Sequence, residues 1–337
     1  MIVTLTANPS LDRTVELGAP LARGEVQRAT GTSVHPGGKG VNVSRALIAS
    51  GLDTVAVLPG DASDPMLVAL RAERIPTAGL PIEGRVRSNI TLTEPDGTTT
   101  KINEPGPTLT HEDMAALIGI VVAHARNADW LVLAGSLPPG LPTDFYASVV
   151  RAVRDSGSEA RIAVDSSGPP MLALIDSGVG VDLVKPNAEE LAELTGHPAG
   201  TGLEDDLDAA ASAAASLVGR GCRAVLATLG GRGALLVTAD AADHAAAWHA
   251  TMPPITVRST VGAGDASLAG YLLAEQHGAT ASGRLAQAVA HGAAAASLAG
   301  SGMPAAHDTE PHAAILTELS APSAQHAAPT QPAPTQE

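Results

Sequence analysis

The chain has 337 residues, enough for one large α/β domain or two smaller ones, and its 45% hydrophobic content includes only 1% aromatics, so a core has to be built from Ala, Val, Leu and Ile. A net charge of −15 excludes the basic footprint that a nucleic-acid or anionic-membrane surface requires. The opening MIVTLTANPS has neither the basic nor the apolar region of a signal peptide, and no apolar run reaches the roughly 18 residues of a membrane span. The single Cys222 cannot form an internal disulfide, which fits a reducing cytosol and makes a cytoplasmic location the expectation. Cys222 itself reads as a small structural residue before a strand.

Apolar β-rich runs alternate with helical patterns along the chain. Residues 2–5 read as a strand. Residues 11–34 hold short β-like pieces without a long helix. The glycine-rich segment His35-Pro36-Gly37-Gly38-Lys39-Gly40-Val41-Asn42 then enters a helix at 41–49. It lacks the spacing of a P-loop and of a dinucleotide fingerprint. It offers a turn of exposed amides, with Lys39 and Asn42 placed to hydrogen-bond a polyol and Gly37 and Gly38 allowing close approach. The plain alternative is a glycine turn with a surface lysine. A strand at 54–58 follows. Residues 86–102 read as a hairpin around Glu94-Pro95-Asp96-Gly97. This hairpin and the 11–34 stretch fit a small β lid over a cleft; ordinary decoration is the alternative.

A helix at 114–125 leads to a strand at 130–133 and the loop Ala134-Gly135-Ser136-Leu137-Pro138-Pro139-Gly140. This loop does not match a nucleophile elbow, so Ser136 reads as a hydrogen-bonding residue. A helix at 145–153 and strands at 162–164 and 181–184 precede Lys185-Pro186-Asn187-Ala188-Glu189-Glu190, which opens a helix at 189–195. Asn187 and Glu190 lie three apart, on one side of a first turn. Hard oxygen ligands there suit Mg²⁺ and its waters, while an Asn cap followed by a first-turn Glu is the structural alternative. The acidic run Glu204-Asp205-Asp206 with Asp208 is expected to cap the Ala-rich helix at 209–218, a metal site there being the alternative. A strand at 224–227 leads to Thr228-Leu229-Gly230-Gly231-Arg232-Gly233, placed to pass a nucleotide. This alternation argues for a mostly parallel sheet with helices on both faces.

Ser259-Thr260-Val261-Gly262-Ala263-Gly264-Asp265 is a small loop that ends in an acid and runs into a helical pattern at 267–274. Glycine amides beside a helix N-terminus make a phosphoryl site. A carboxylate there needs a task, such as taking a proton from an attacking hydroxyl. A flexible turn with an Asp near a helix start is the alternative. Residues 287–299 read as a packed Ala-rich helix, and residues 320–337 as a disordered tail of Pro, Ala, Gln and Thr. Seventeen arginines stand against three lysines, and Lys39, Lys101 and Lys185 each fall in one of these unusual segments. A compact ammonium beside a phosphate or hydroxyl is not replaced by arginine at little cost.

Together these segments resemble the ribokinase-like, PfkB family of carbohydrate kinases. GGKGVNVSRALIASG matches its N-terminal signature and STVGAGDASLAGYLLA its C-terminal one, with GSLPPG, KPNAEE and TLGGRG between them in order. The resemblance covers about residues 1–304. TLTANPSLDRT, VRSNITL and KINEPGP resemble the branch of 1-phosphofructokinase, tagatose-6-phosphate kinase and the minor 6-phosphofructokinase. It implies a three-layer α/β/α sandwich with a small β-sheet lid, in which residues 1–319 form the kinase domain and about 11–35 and 86–104 the lid.

By resemblance, Asp265 is the general base, and Gly262, Ala263 and Gly264 form an anion hole. Asp12, Gly37, Gly38, Lys39 and Asn42 hold the sugar. Arg87, Asn89, Lys101 and Ser136 face the phosphate already on the substrate. Lys185, Asn187 and Glu190 organise the ATP phosphates and Mg²⁺, the metal being held by Glu190 and, through water, Asn187. Thr228, Gly230 and Gly233 border the nucleotide, and the helix near 288–297 borders adenine. The implied activity is ATP- and Mg²⁺-dependent phosphorylation of a ketohexose phosphate, with fructose 1-phosphate the first expectation. Tagatose 6-phosphate and fructose 6-phosphate are the alternatives, and a non-catalytic sugar-phosphate sensor is the alternative of another class. A homodimer through the lid is also implied.

Overall fold

The computed structural model describes residues 1–198, 200–239, 245–298 and 300–319. The expected tail at 320–337 and the last residue of the 287–299 stretch lie outside these. In chain order the elements are β1 (Ile2–Thr6), β2 (Ser10–Leu17), β3 (Ala29–Gly37), α1 (Lys39–Ala49), β4 (Thr54–Pro59), α2 (Pro65–Ala72), β5 (Thr77–Leu80), β6 (Arg87–Thr93), β7 (Thr99–Asn103) and α3 (His111–Ala125). There follow β8 (Trp130–Ala134), α4 (Phe145–Asp155), β9 (Arg161–Asp165), α5 (Gly168–Asp176), β10 (Leu183–Val184), α6 (Ala188–Leu194), α7 (Leu207–Gly219), β11 (Ala224–Thr228), β12 (Ala234–Ala239), β13 (Ala245–Thr251), α8 (Ala263–Gln276), α9 (Ala281–Ser297) and β14 (Ile315–Leu319).

The main sheet runs β14-β13-β12-β11-β10-β9-β8-β1-β4-β5. It is parallel from β5 to β11 and antiparallel from β11 to β14. Strands β1 and β8 are buried along their whole length, as expected of parallel strands covered on both faces. Alternate side chains feed two cores. Val3, Leu5, Leu131, Leu133 and Ile162 meet the layer of α3 to α7, whereas Ile2, Trp130, Val132 and Ala163 meet α1, α8 and α9. This is the expected three-layer α/β/α sandwich.

Small residues let the second layer pack tightly. A Cβ on Gly270 of α8 would lie 2.5 Å from the Gln287 carbonyl of α9, and one on Gly292 of α9 would lie 2.4 Å from Ser267 Oγ. A core poor in aromatics thus reaches contact density by bringing backbones together. Cys222 is buried, and burial pushes its thiol up to about 12 against the pull of Arg220. Such a thiol stays protonated and unreactive. No helix among the described residues is long and apolar enough to cross a membrane.

A separate four-stranded sheet, β3-β2-β6-β7, forms the lid. β2 and β6 run parallel, and β6 and β7 form the expected hairpin, closed by Gly97 N–H to the Glu94 carbonyl at 2.9 Å. Because successive residues face opposite sides, the register separates two surfaces. Asp12, His35, Asn89 and Asn103 align across one, and Val34, Arg13, Ile90 and Ile102 across the other.

Candidate active site

The parallel strands deliver their C-terminal ends to one edge of the main sheet, where open α/β sheets bind ligands. Asp165 ends β9, Lys185 follows β10, Thr228 ends β11 and Ser136 follows β8. The N-termini of α1 and α8 close the cleft, and the polar face of the lid contributes Asp12 and Asn89.

The first glycine turn is shaped by close approach. Gly38 precedes α1 with φ +110°, a conformation that L side chains rarely adopt, and a Cβ on Gly37 would sit 2.1 Å from Asp12 Oδ2. Asp12 Oδ1 accepts from Ser10 Oγ at 2.8 Å and from Asn89 Nδ2 at 3.1 Å, so the carboxylate is braced from its own strand β2 and from the neighbouring β6. One turn into α1, Asn42 Nδ2 donates to Asp265 Oδ2 at 2.8 Å. The two signature segments, far apart in sequence, meet in that bond.

Helix α8 begins at Ala263, earlier than the helical pattern at 267–274, so Asp265 lies within its first turn and not before it. Gly262 caps the helix with φ +77°. Ala263 N–H makes only a long bond, 3.4 Å, to the Thr260 carbonyl, and the Gly264 and Asp265 amides have no backbone carbonyl partner among the described residues, so the first turn can still receive an anion. A Cβ on Gly264 would lie 3.1 Å from Lys185 Nζ, which puts that ammonium against the same turn. Asp265 is buried. Burial, reinforced by the charge of Asp165, pushes its carboxyl up to about 6, against the hydrogen bond from Asn42 and the charges of Lys185 and Lys39.

Asp165 links the cluster. It is 0% exposed, its Oδ1 accepts from Lys39 Nζ at 2.7 Å, and Lys185 Nζ lies 3.0 Å from Oδ2. The second contact is an ion pair whose direction falls short of a hydrogen bond. Burial alone would raise this carboxyl, yet the two ammonium groups hold it below the usual carboxylate range. Lys39 Nζ also lies 3.5 Å from Glu190 Oε1. Burial works against its charge, but Asp165 and Glu190 outweigh it and hold the ammonium above the ordinary lysine value. Lys39 is therefore turned inward, toward Asp165 and Glu190.

Asn187 and Glu190 form a reciprocal capping box on α6: Glu190 N–H donates to Asn187 Oδ1 at 2.8 Å and Asn187 N–H to Glu190 Oε2 at 2.9 Å. The capping alternative is thus realised, and Glu190 Oε1 still faces Lys39. Thr228 bridges to Asn187, which sets the loop after β11 beside this cap. Gly233 has φ +86°, and its Cβ would lie 1.9 Å from the Ala250 carbonyl of β13. Packing alone accounts for glycine there. Gly230 meets nothing within 4 Å and is exposed.

Arg87 is half-buried at the root of β6. Its guanidinium donates to the Glu104 carbonyl at 3.0 Å and the Asn8 carbonyl at 3.2 Å. Ser136 is exposed at the mouth of the cleft. Lys101 is exposed on the edge strand β7, opposite Thr91 and two residues along from the row that holds Asn89. It makes no hydrogen bond or ion pair with the other site residues. The structure thus brings Asp12, Asn42, Lys39, Lys185, Glu190 and Asp265 together and leaves Lys101 apart.

The signature of the pfkB family carbohydrate kinases matches residues 5–307. The chain belongs to that family. It is 34% identical to a 1-phosphofructokinase of Haloferax volcanii over 94% of this chain and 99% of the relative. It is 31% identical to a tagatose-6-phosphate kinase of Staphylococcus epidermidis over 80% and 84% of the two chains. Its fold is similar to that of Escherichia coli phosphofructokinase-2 in complex with substrates and products, with a TM-score of 0.81 at 30% identity, covering 91% of this chain and 96% of the other. As a pfkB carbohydrate kinase the chain is an ATP-dependent phosphotransferase acting on an alcohol group.

Two residues of this kinase site went unread in the sequence. Asp165 carried a signal: an acid closing an apolar strand, at the sheet edge where ligands bind. Asn8 stands in the TLTANPSLDRT opening, which pointed to a branch and not to a role; its contacts depend on segments about a hundred residues away.

Proposed function

We propose that this pfkB kinase is a 1-phosphofructokinase, transferring the γ-phosphoryl of ATP to the 6-hydroxyl of fructose 1-phosphate to give fructose 1,6-bisphosphate and ADP. The observation that carries the reading is Asp265: a buried carboxylate with its pKa pushed to about 6, in the first turn of a glycine-capped helix beside Lys185. Asp265 takes the proton of the acceptor hydroxyl as its oxygen attacks the γ-phosphorus and the bond to the β-phosphate oxygen breaks. The amides of Gly262, Ala263 and Gly264 receive the migrating charge, so that catalysis rests on in-line positioning and neutralisation. Asp12, Gly37, Gly38 and Asn42 orient the sugar, and Asn89 braces Asp12. Lys39 and Lys185 stabilise the transferring phosphoryl from opposite sides of Asp165. Thr228 and Gly230 border the nucleotide.

The donor set fits Mg²⁺, which prefers oxygen ligands and keeps several waters. Glu190 retains lone pairs on both carboxylate oxygens, and Asn187 beside it is exposed. When bound there, Mg²⁺ neutralises charge between the ATP phosphates. Glu190 would hold it, with Asn187 acting through water.

Arg87 supports a phosphorylated acceptor. Its guanidinium is half-buried and its Nε lacks a partner among the described residues. Removing a charged donor costs about 1.5–3 kcal/mol, so Arg87→Ala is expected to raise the sugar-phosphate KM about 10- to 100-fold with little change in the KM of ATP. An unchanged sugar-phosphate KM removes Arg87 from the substrate site. The reading as a whole is tested by a coupled assay with fructose 1-phosphate, fructose 6-phosphate, tagatose 6-phosphate and unphosphorylated sugars. A higher kcat/KM on tagatose 6-phosphate reassigns the substrate, and turnover of none favours a sensor.

We also infer a cytoplasmic homodimer joined through the lids. On the Val34–Arg13–Ile90–Ile102 row the apolar side chains Val34 and Ile102 are 55% and 53% exposed beside the exposed Arg13, and a second copy would cover them. Sedimentation should give a dimer, and Ile102→Asp a monomer. A wild-type monomer at micromolar concentration rules this out.

A further inference from the structure

Asn8 lies just past the end of β1 and is 4% exposed, yet none of the chemistry above uses it. It touches three segments that meet at the mouth of the substrate side. Its carbonyl accepts from Arg87 Nη2 at 3.2 Å, and its side-chain Nδ2 donates to the Pro105 carbonyl at 3.1 Å and to Ser136 Oγ at 3.4 Å. The fit is close: Gly106 has φ +98°, and a Cβ there would lie 2.3 Å from Asn8 Oδ1. The side chain is thus held against the turn that leaves the lid, where only glycine leaves room for it.

The bonding pattern has a chemical consequence for Ser136. A hydroxyl has one proton and two lone pairs. Because Asn8 Nδ2 donates into Ser136 Oγ, one lone pair is engaged and the serine proton is free to donate to another acceptor, and Ser136 is exposed at the cleft mouth. The same residue, through its carbonyl, holds one arm of the Arg87 guanidinium. One buried asparagine thereby sets two donors, a neutral hydroxyl and a cation, whose shared complement is an oxyanion.

We propose that Asn8 is a positioning residue that fixes Ser136 and Arg87 as paired donors for the phosphate already carried by the sugar. The proposal rests on the reading of the acceptor as a sugar phosphate. The side chain acts through Ser136 and the turn at Gly106, and the carbonyl acts through Arg87. Substitution of the side chain therefore removes the first effect and spares the second.

The test is steady-state kinetics with the sugar phosphate turned over in the substrate panel, on Asn8→Ala, Asn8→Asp, Ser136→Ala and the Asn8→Ala/Ser136→Ala double variant. Loss of one neutral hydrogen bond predicts that Asn8→Ala raises the sugar-phosphate KM about 3- to 10-fold. The KM of ATP and kcat should change little. The nearly isosteric Asn8→Asp should raise KM further, because its carboxylate takes the serine proton and repels the incoming phosphate. The double variant should be no worse than the poorer single variant, since both remove the same donor. A sugar-phosphate KM unchanged in Asn8→Asp overturns the proposal, as do fully additive effects of Asn8→Ala and Ser136→Ala. So does a parallel fall in kcat and rise in both KM values alongside a lowered Tm. If Asn8→Ala does not fold, the isosteric aspartate decides. Arg87→Ala separates the two levels: a raised KM there with normal Asn8 variants ends only the Asn8 proposal, whereas no effect of Arg87→Ala ends the phosphate reading beneath it.

Discussion

Asp265→Asn is expected to lower turnover by about 10²–10⁴-fold while ATP binding, read by calorimetry, is retained. The amide keeps the shape of the carboxyl and can still accept from Asn42 Nδ2, so the helix start and its amides stay in place. What it lacks is the capacity to take the proton from the acceptor hydroxyl. The folded carboxyl lies at about 6 against 3.8 for the free group, so the folded chain holds that proton more tightly than the unfolded one. Its favourable contribution is complete in acid and is lost as pH rises through 3.8 toward 6, leaving a buried ionised carboxylate that costs stability at neutral pH. Asp265→Asn removes that cost. Its Tm at about pH 8 should equal or exceed that of the parent chain, in keeping with strain held at a catalytic site. Turnover close to the parent's would end the general-base role, and an inactive variant with a much lower Tm would make the residue structural.

The same shift sets the pH dependence. Because the base must be ionised, kcat/KM should fall as pH drops through about 6. A sugar phosphate has its own second ionisation at about 6, so one limb in the parent profile is ambiguous. The residual activity of Asp265→Asn resolves it. The carboxylate's share of the limb disappears there, and the share that belongs to the substrate remains.

Much of this arrangement was legible in the chain, and the gaps have physical causes. Alternating strands and helices gave the parallel part of the sheet, because buried parallel strands read as unbroken apolar runs. The hairpin 86–102 was marked by the turn at Gly97. Helix α2 was missed because it is short and announced only by Asp64, whose side chain accepts from Met66 N–H, and by Pro65 at its first position. Helix α5 opens on Gly168-Pro169-Pro170, which reads as a loop. Strand β13 is Ala-rich, and its conformation comes from pairing on both sides with β12 and β14 rather than from local preference. Within the site, Asp265 and Asn42 were read from glycine-bearing segments and Lys185 from the helix opening after a buried strand, but the direction of Lys39 was not. Its position in the first glycine turn placed it with the sugar, while its ammonium bonds a strand end 126 residues away. Sequence spacing locates a Cα; it does not say which long side chain crosses a cleft.

That strand end, Asp165, should give the second largest effect. Asp165→Ala leaves the ammonium groups of Lys39 and Lys185 without their shared partner, and Lys185 is only 4% exposed. Breaking a buried ion pair costs about 3–5 kcal/mol, a large part of the about 5–15 kcal/mol that holds a domain together. The alanine variant should therefore melt at markedly lower temperature and lose most activity. Asp165→Asn separates the electrostatic role from the structural one, because it keeps volume and an acceptor for one lysine while removing the charge. The charge of Asp165 helps to raise Asp265, and the lysines it releases would lower Asp265 further. Both changes act in one direction: the acid limb of kcat/KM in Asp165→Asn should move to lower pH than in the parent chain, even as kcat falls. A limb that stays in place would mean that Asp165 braces the lysines without tuning the base. A limb that moves to higher pH would contradict the charge arrangement itself, since the removal of a neighbouring negative charge cannot make a carboxyl harder to ionise.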